Sequence, residues 1–373
     1  MNYMNWAIPI AFLLAVCMAR IIIPQVIIVA VKKNLYDEPG GRKLHKGAVP
    51  RLGGFSFLPI ILFSLAFMLA ITYQYDSVIV LKTMRTVFPE MLLLICGLLF
   101  LYLIGLWDDL IGARYRIKFI VQILAASFIP VSGLWINNLY GLFGIHYLTP
   151  WLGIPLTIFL IVFIVNALNL IDGIDGLASG LSAIALVVLG SFFLLSQALL
   201  FAMLAFVTLG VLLPFFYYNV FGKTSRNSKI FMGDTGSLTL GYILSFLAIR
   251  LTAVPPALPP LTEGAIMIAF STLLVPIFDV CRVMLVRLRN KKHLFVADNN
   301  HIHHKFLKMG YSPRAAMVRI LLMSVLFCSL NILFVHLLNI TLLFLINILL
   351  WGSLHRWFSH VLNKRALKIT LPT

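Results

Sequence analysis

The side chains able to do chemistry in this chain are few and fall in short polar islands between apolar runs. Of 373 residues only 12 are acidic, and two of these, Asp108 and Asp109, are adjacent at the end of one such run, with Arg114, Arg116 and Lys118 within ten residues. Adjacent carboxylates repel, so a cation or a proton has to lie near them. A Mg²⁺ ion held through carboxylates and substrate phosphates meets that need; a solvated helix end with salt bridges to the nearby bases is the plainer alternative. A second island, NALNLIDGIDGLASG from Asn166 to Gly180, spaces Asn166, Asn169 and Asp172 by three, which puts them on one face if the preceding helix runs that far. Such a face would make a floor for a metal or a nucleotide. Asp175 comes after Gly173 and reads equally well as a helix cap. The third island, NVFGKTSRNSKIFMGDTGSLTLGY, carries Asn219 and then Asp234 among glycines. A carboxylate so placed at a helix start can reach a metal while freed backbone N–H groups face phosphate oxygens; a helix N-cap by Asp234 or Ser237 is the alternative.

Two further segments are basic. In KKNLYDEPGGRKLHKGAVPRLGG, residues 32–54, Arg42, Lys43, His45 and Arg51 could surround an anion while glycines let the backbone approach. A basic loop held against anionic lipid headgroups is the competing account. In RLRNKKHLFVADNNHIHHKFLKMGYSPRA, no cysteine or nearby acid pair completes a zinc set with His301, His303 and His304, and Lys305 and Lys308 oppose a cation. The imidazoles read instead as hydrogen-bond donors to a diphosphate, or as part of a solvated polar loop. Asp279 and Arg282, three apart inside an apolar run, suit a structural ion pair at least as well as a catalytic role.

The elements that must position these groups are membrane helices. With 61% hydrophobic and 11% charged residues and a mean hydropathy of +1.01, the composition is that of an all-α polytopic integral membrane protein. The net charge of +17 does not point to nucleic acid, because the bases lie in short segments between apolar spans. Eleven runs approach the roughly 20 residues needed to cross a bilayer: near 4–31, 53–73, 89–107, 119–136, 150–168, 177–196, 198–218, 237–254, 265–287, 316–337 and 340–358. The first is a transmembrane helix rather than a cleaved signal, lacking a basic leader, and a tight turn is expected at Gln197. Cys17, Cys96, Cys281 and Cys328 all fall within apolar runs and read as core residues. Alternate connecting segments hold only Lys82, Arg85 and Arg250, while Arg20, Arg282 and Arg319 lie within spans. The other bases fall on one side, which the positive-inside rule makes cytoplasmic, with the N-terminus outside and the C-terminus inside. The chain is thus one membrane domain, 1–373, with site segments near 32–54, 108–118, 166–180, 219–237 and 288–315 on the cytoplasmic face.

Taken in order, RKLHKGAVPRLGG, the Asp108–Asp109 pair with Lys118, NALNLIDGIDG, FMGDTGS and HIHH resemble the motifs of the polyprenyl-phosphate N-acetylhexosamine-1-phosphate transferase family, over roughly Lys32 to Arg314. The resemblance implies a Mg²⁺-dependent enzyme, with Mn²⁺ as a substitute, in a bacterial cytoplasmic (inner) membrane. It would transfer a sugar 1-phosphate from a UDP-N-acetylhexosamine to undecaprenyl phosphate and release UMP. It implies Asp234 and Asn169 as metal ligands, Asp108 beside Asp109 deprotonating or orienting the lipid phosphate, and Asp172 and Asn219 at the nucleotide or the metal shell. Lys118 matches a phosphate-binding lysine and His301, His303 and His304 a diphosphate-side cluster. A homodimer is also implied. The sequence HIHH, rather than three consecutive histidines, resembles the amino-sugar branch and favours UDP-GlcNAc or a related sugar, with UDP-GalNAc, UDP-FucNAc and UDP-QuiNAc left open, over a phospho-N-acetylmuramoyl-pentapeptide transferase. A transporter of anionic substrates would share the composition, but such proteins place polar groups at broken helices near the midplane, often in repeated halves. No repeat is visible here.

Overall fold

A computed structural model of the chain describes residues 3–36, 49–253, 264–291 and 300–370. Its thirteen helices are α1 (Tyr3–Lys32), α2 (Phe57–Tyr75), α3 (Ser77–Ile111), α4 (Tyr115–Val131), α5 (Pro150–Ile171), α6 (Leu177–Leu195), α7 (Leu199–Phe221), α8 (Gly233–Thr252), α9 (Ala265–Ser271), α10 (Leu274–Arg289), α11 (Ile302–Lys308), α12 (Pro313–Phe334) and α13 (Ile340–Thr370). Among the described residues nine helices are long and apolar enough to cross a membrane, and α9 with α10, bent by 75°, makes a tenth as a broken span. Each of the eleven apolar runs falls on one of these or on α4. At 17 residues, α4 is about 26 Å long, at the lower limit for a crossing. Gln197 makes the expected tight turn between α6 and α7, with a φ of 58°.

Helix α8 is the axis. Its 18-residue apolar window is wholly buried although its mean hydropathy, 1.2, is the lowest of the nine. In lipid, close approach of backbones replaces the hydrophobic drive between helices, so small residues mark the contacts. Accordingly, a Cβ on Gly97 of α3 would lie 2.1 Å from the Tyr242 hydroxyl, one on Gly105 2.5 Å from Thr235 Cα, and one on Gly54 2.0 Å from the Gly236 nitrogen. At the far end of α8, Arg250 Nε meets Glu90 Oε2 at 3.0 Å. There an antiparallel hairpin, β1 (Asn138–Leu142) with β2 (Ile145–Tyr147), closes over the bundle, and the Tyr140 hydroxyl donates to the Thr252 carbonyl at 2.8 Å. The sequence gives the hairpin no clear strand alternation. The cysteine expectation needs correcting: only Cys328 is buried, while Cys17, Cys96 and Cys281 are exposed on the bundle surface. Apolar periodicity does not separate a helix face turned to lipid from one turned to protein.

Candidate active site

The polar islands converge at the other end of α8, and Asp109 is the reason α8 can begin there. Its Oδ1 accepts from the Asp234 N–H at 2.7 Å, and Oδ2 accepts from the Thr235 N–H at 2.9 Å and the Thr235 hydroxyl at 2.6 Å. The first N–H groups of a helix have no partner within it, so a carboxylate from α3 serves as the cap. Gly233 makes room for it: its φ is +71°, and a Cβ there would lie 2.1 Å from the Arg51 carbonyl oxygen and 2.5 Å from Asp109 Oδ2. The chain around Arg51 is paired with the approach to α8 through Phe231 N–H to Pro50 O (2.8 Å), Gly53 N–H to Phe231 O (2.9 Å) and Gly54 N–H to Met232 O (2.8 Å).

With α8 so fixed, Asp234 faces α4 and α5. The Lys118 ammonium bridges the two other carboxylates, donating to Asp234 Oδ2 and to Asp108 Oδ2 at 3.2 Å. Asp108 Oδ1 accepts from the Ala113 N–H at 2.7 Å, which closes the α3–α4 turn. From α5, Asn169 Nδ2 donates to Asp234 Oδ1 (3.1 Å) and Ser237 Oγ (2.9 Å). Asp172 follows the last residue of α5, half-buried. Burial first, then the charges of Asp175, Asp234 and Asp109, push its carboxyl up to about 7 against the opposing pull of Arg51. Asp108, Asp109, Lys118, Asn169, Asp172, Asp234 and the Arg51 segment therefore form one cluster.

Other predicted site residues are brought close in different ways. Asn219 is buried and bound to backbone on both sides, accepting from the Gly176 N–H at 2.6 Å and donating to the Ile230 carbonyl at 2.9 Å. It braces the walls of the site. Asp175 pairs with Lys229 at 2.6 Å, an ion pair rather than a cap. His303 packs against the second island, since a Cβ on Gly173 would lie 2.3 Å from its Nε2; burial and the neighbouring His304 and His301 push its pKa down to about 3, which keeps it neutral. His301 is turned away to Asp279 Oδ2 at 2.9 Å, and Asp279 also accepts from Arg282 at 2.8 Å and from the Ile302 N–H at 3.1 Å. The Asp279–Arg282 pair is thus an anchor that holds the histidine helix α11. His304 lies beside His303, ring centroids 4.1 Å apart. Arg42 and His45 lie outside the described residues. Sequence reasoning did not find Thr235 as a partner of the Asp109 carboxylate, Ser237 as a partner of Asn169, or Gln122 as a partner of Asn166; polar side chains inside otherwise apolar or glycine-rich helical runs were the available signal.

Among the described residues, no three or more His, Cys, Asp or Glu side chains close around a common metal position. Mg²⁺ asks for less, since it keeps several waters and takes one or two carboxylates plus substrate phosphates. The hard oxygen donors of Asp234 and Asp172, with the charges of Asp175 and Asp109 near Asp172, fit such an ion.

The fold and this cluster define a polytopic membrane protein with an acid, amide and lysine site at one end of its central buried helix. Residues 91–252, the stretch that holds the site from Asp108 to Asp234, match Glycosyl transferase family 4. The chain is 34% identical over 325 residues, 86% of its length and 83% of the relative's, to a Bacillus subtilis (strain 168) protein named as a probable undecaprenyl-phosphate N-acetylglucosaminyl 1-phosphate transferase. Undecaprenyl-phosphate alpha-N-acetylglucosaminyl 1-phosphate transferases of Escherichia coli O157:H7 and Yersinia pestis are similar at 30% identity (87% of this chain, 84% of the relative) and 28% identity (89% and 85%). The chain belongs to this family of polyprenyl-phosphate N-acetylhexosamine-1-phosphate transferases.

Proposed function

We propose that the protein transfers N-acetylglucosamine 1-phosphate from UDP-N-acetylglucosamine to undecaprenyl phosphate. A phosphate oxygen of the lipid attacks the β-phosphorus, the bond from that phosphorus to the oxygen bridging the two phosphates breaks, and UMP leaves with the electron pair. The products are UMP and the diphosphate-linked sugar lipid. The observation that carries this reading is the Lys118 ammonium held between Asp108 and Asp234, within a family whose named relatives act on undecaprenyl phosphate.

Phosphoryl transfer asks a protein mainly for positioning and charge stabilisation. A phosphomonoester has its second pKa near 6, so the lipid phosphate is already largely a dianion at neutral pH and direct attack needs little help from a base. Asp108 orients it, or takes its remaining proton, while Lys118 and Arg51, with Arg42 and His45 of the same basic segment, supply positive charge for the phosphates. Asp109 holds the start of α8 so that Asp234 faces the reacting groups. Asp234 and Asn169, with Asp172 near, would hold Mg²⁺, or Mn²⁺ in its place; Asn169 would do so through its amide oxygen. The ion would neutralise charge building on the diphosphate oxygens. His303 and His304 would face the diphosphate, with His301 acting behind them through its bond to Asp279, and Asn219 would support the wall behind the nucleotide. The enzyme would work in a bacterial inner membrane as a homodimer with the site facing the cytoplasm, where nucleotide sugars are made and where the basic segments belong by the positive-inside rule. Purified protein supplied with undecaprenyl phosphate, a divalent ion and a panel of UDP-sugars should release UMP with UDP-N-acetylglucosamine. No UMP with any sugar overturns the proposal.

A further inference from the structure

Helix α4 delivers Lys118 to the site but is the shortest of the helices that carry its carboxylates, amide and lysine, 17 residues packed against α3 and α5. Its inward residues are Gln122, Ala125, Ala126 and Ile129; Gln122 lies one turn beyond Lys118 and is only 3% exposed. An amide in that position would have to satisfy its hydrogen bonds inside an apolar interface, and it does so with Asn166 of α5. Asn166 Nδ2 donates to Gln122 Oε1 at 2.6 Å, and Gln122 Nε2 donates back to Asn166 Oδ1 at 3.4 Å. The same Asn166 Nδ2 also donates to the Val162 carbonyl at 2.7 Å, which holds its side chain against α5. Asn166 therefore does not join the floor of the site with Asn169, as its spacing suggested. It lies one turn before Asn169, just as Gln122 lies one turn after Lys118. The amide pair joins the two helices at the level from which both site residues project toward Asp234.

We propose that Gln122 is a positioning residue for the transfer reaction, acting with Asn166 to fix the register of α4 against α5 and so hold Lys118 between Asp108 and Asp234. Further from the site, the Tyr242 hydroxyl donates to the Ala125 carbonyl at 2.7 Å and ties α4 to α8. Without the amide pair, α4 can rotate or slide at its Lys118 end while remaining attached to α8. Neither Gln122 nor Asn166 has to touch substrate for this, and the pair is shielded from the site by the turn that carries Lys118.

The inference rests on the proposed transferase reaction, and the test separates the two. If the unaltered protein releases no UMP, the transferase reading fails, and Lys118 acylation alone then decides the positioning role. With active protein, Gln122→Leu should lower kcat tenfold or more while the KM for the UDP-sugar changes less than threefold. The exchange Gln122→Asn with Asn166→Gln keeps both amides and the total side-chain length, so the double variant should recover at least a third of the unaltered kcat and exceed each single variant. Acetylation of Lys118 by acetic anhydride, followed by peptide mass spectrometry, needs no turnover: a lysine held between two carboxylates reacts slowly, and Gln122→Leu should speed it severalfold. The proposal is overturned if Gln122→Leu matches the unaltered protein in both kcat and Lys118 acetylation, if it only lowers the melting temperature with kcat per folded molecule unchanged, or if the double variant is no better than the poorer single one.

Discussion

Asp109→Asn distinguishes a carboxylate that reacts from one that holds the site together. Asp109 accepts three hydrogen bonds at the head of α8, from the Asp234 N–H, the Thr235 N–H and the Thr235 hydroxyl. Asparagine keeps one acceptor oxygen, so one of the two backbone N–H groups loses its partner, while the hydroxyl can turn and accept from the new amide. A partly buried N–H left without a partner costs about 1–3 kcal/mol. Loss of the negative charge at a helix N-terminus adds about 0.3–1 kcal/mol. Because Asp109 is only partly buried, the sum falls near 2 kcal/mol, a drop in melting temperature of roughly 2–3 °C for a chain of 373 residues. Thermal unfolding in detergent, followed beside UMP release, is the assay. Turnover should fall together with stability, since the N–H that loses its partner belongs to Asp234 or its neighbour. Lost turnover with an unchanged melting temperature would refute the capping argument and make Asp109 a direct participant.

Gly233→Ala should cost about as much or more, because a left-handed φ is unfavourable by roughly 1–2 kcal/mol for a residue with a Cβ and that Cβ would meet the Arg51 carbonyl; an unchanged melting temperature would contradict this. Asp234→Asn should abolish UMP release and the response to added Mg²⁺ while the protein remains monodisperse, and near-normal turnover would remove Asp234 from the metal role. For Asp172 the pKa of about 7 lies above that of the unfolded chain, so the folded form binds the extra proton and, in chelator, stability should rise as the pH falls from 8 toward 5. Asp172→Asn should flatten that rise, and equal slopes in the two proteins would show that Asp172 does not titrate there. Gly173→Ala should displace His303, whose Nε2 would lie 2.3 Å from the added Cβ, and weaken binding of a uridine diphosphate; unchanged affinity would separate the histidine helix from the nucleotide.

The site was legible in its parts and only partly in its assembly. Acids and amides among apolar spans stand out because they are costly near hydrocarbon, so Asp108, Asp172 and Asp234 could be singled out from residue type alone. What joins them could not, because Lys118 and Asp234 are 116 positions apart and a single sequence carries no distances. Local spacing misled at Asn166, where a three-residue step suggested a shared floor but the side chain turns to Gln122. Spacing served better at Asp279 and Arg282, a true ion pair, though nothing local showed that Asp279 would also cap α11 and hold His301. The glycines fall between these cases. Their reading was as places where the backbone could approach an anion, and in the structure Gly233 and Gly173 let Arg51, Asp109 and His303 approach the chain more closely than any side chain allows.

The allocation of hydrogen bonds among the four carboxylates also indicates where substrate would enter. Asp109 is committed to the N-terminus of α8, and Asp108 and Asp234 share one ammonium. Asp172 alone among them makes no hydrogen bond to a described residue, and its pKa is raised by burial first and then by the negative charges of Asp175, Asp234 and Asp109, which Arg51 only partly opposes. A chain with a net charge of +17 thus keeps a local excess of carboxylate at one point and surrounds it with bases in the segments around Arg51, Lys229 and Lys305. That arrangement would repel a bare diphosphate from the carboxylates themselves while attracting it to their rim, and a divalent cation bound with the diphosphate would reverse the repulsion. Nucleotide and ion should therefore bind cooperatively, with Asp172 and Asp234 on the cation side and the basic segments on the phosphate side.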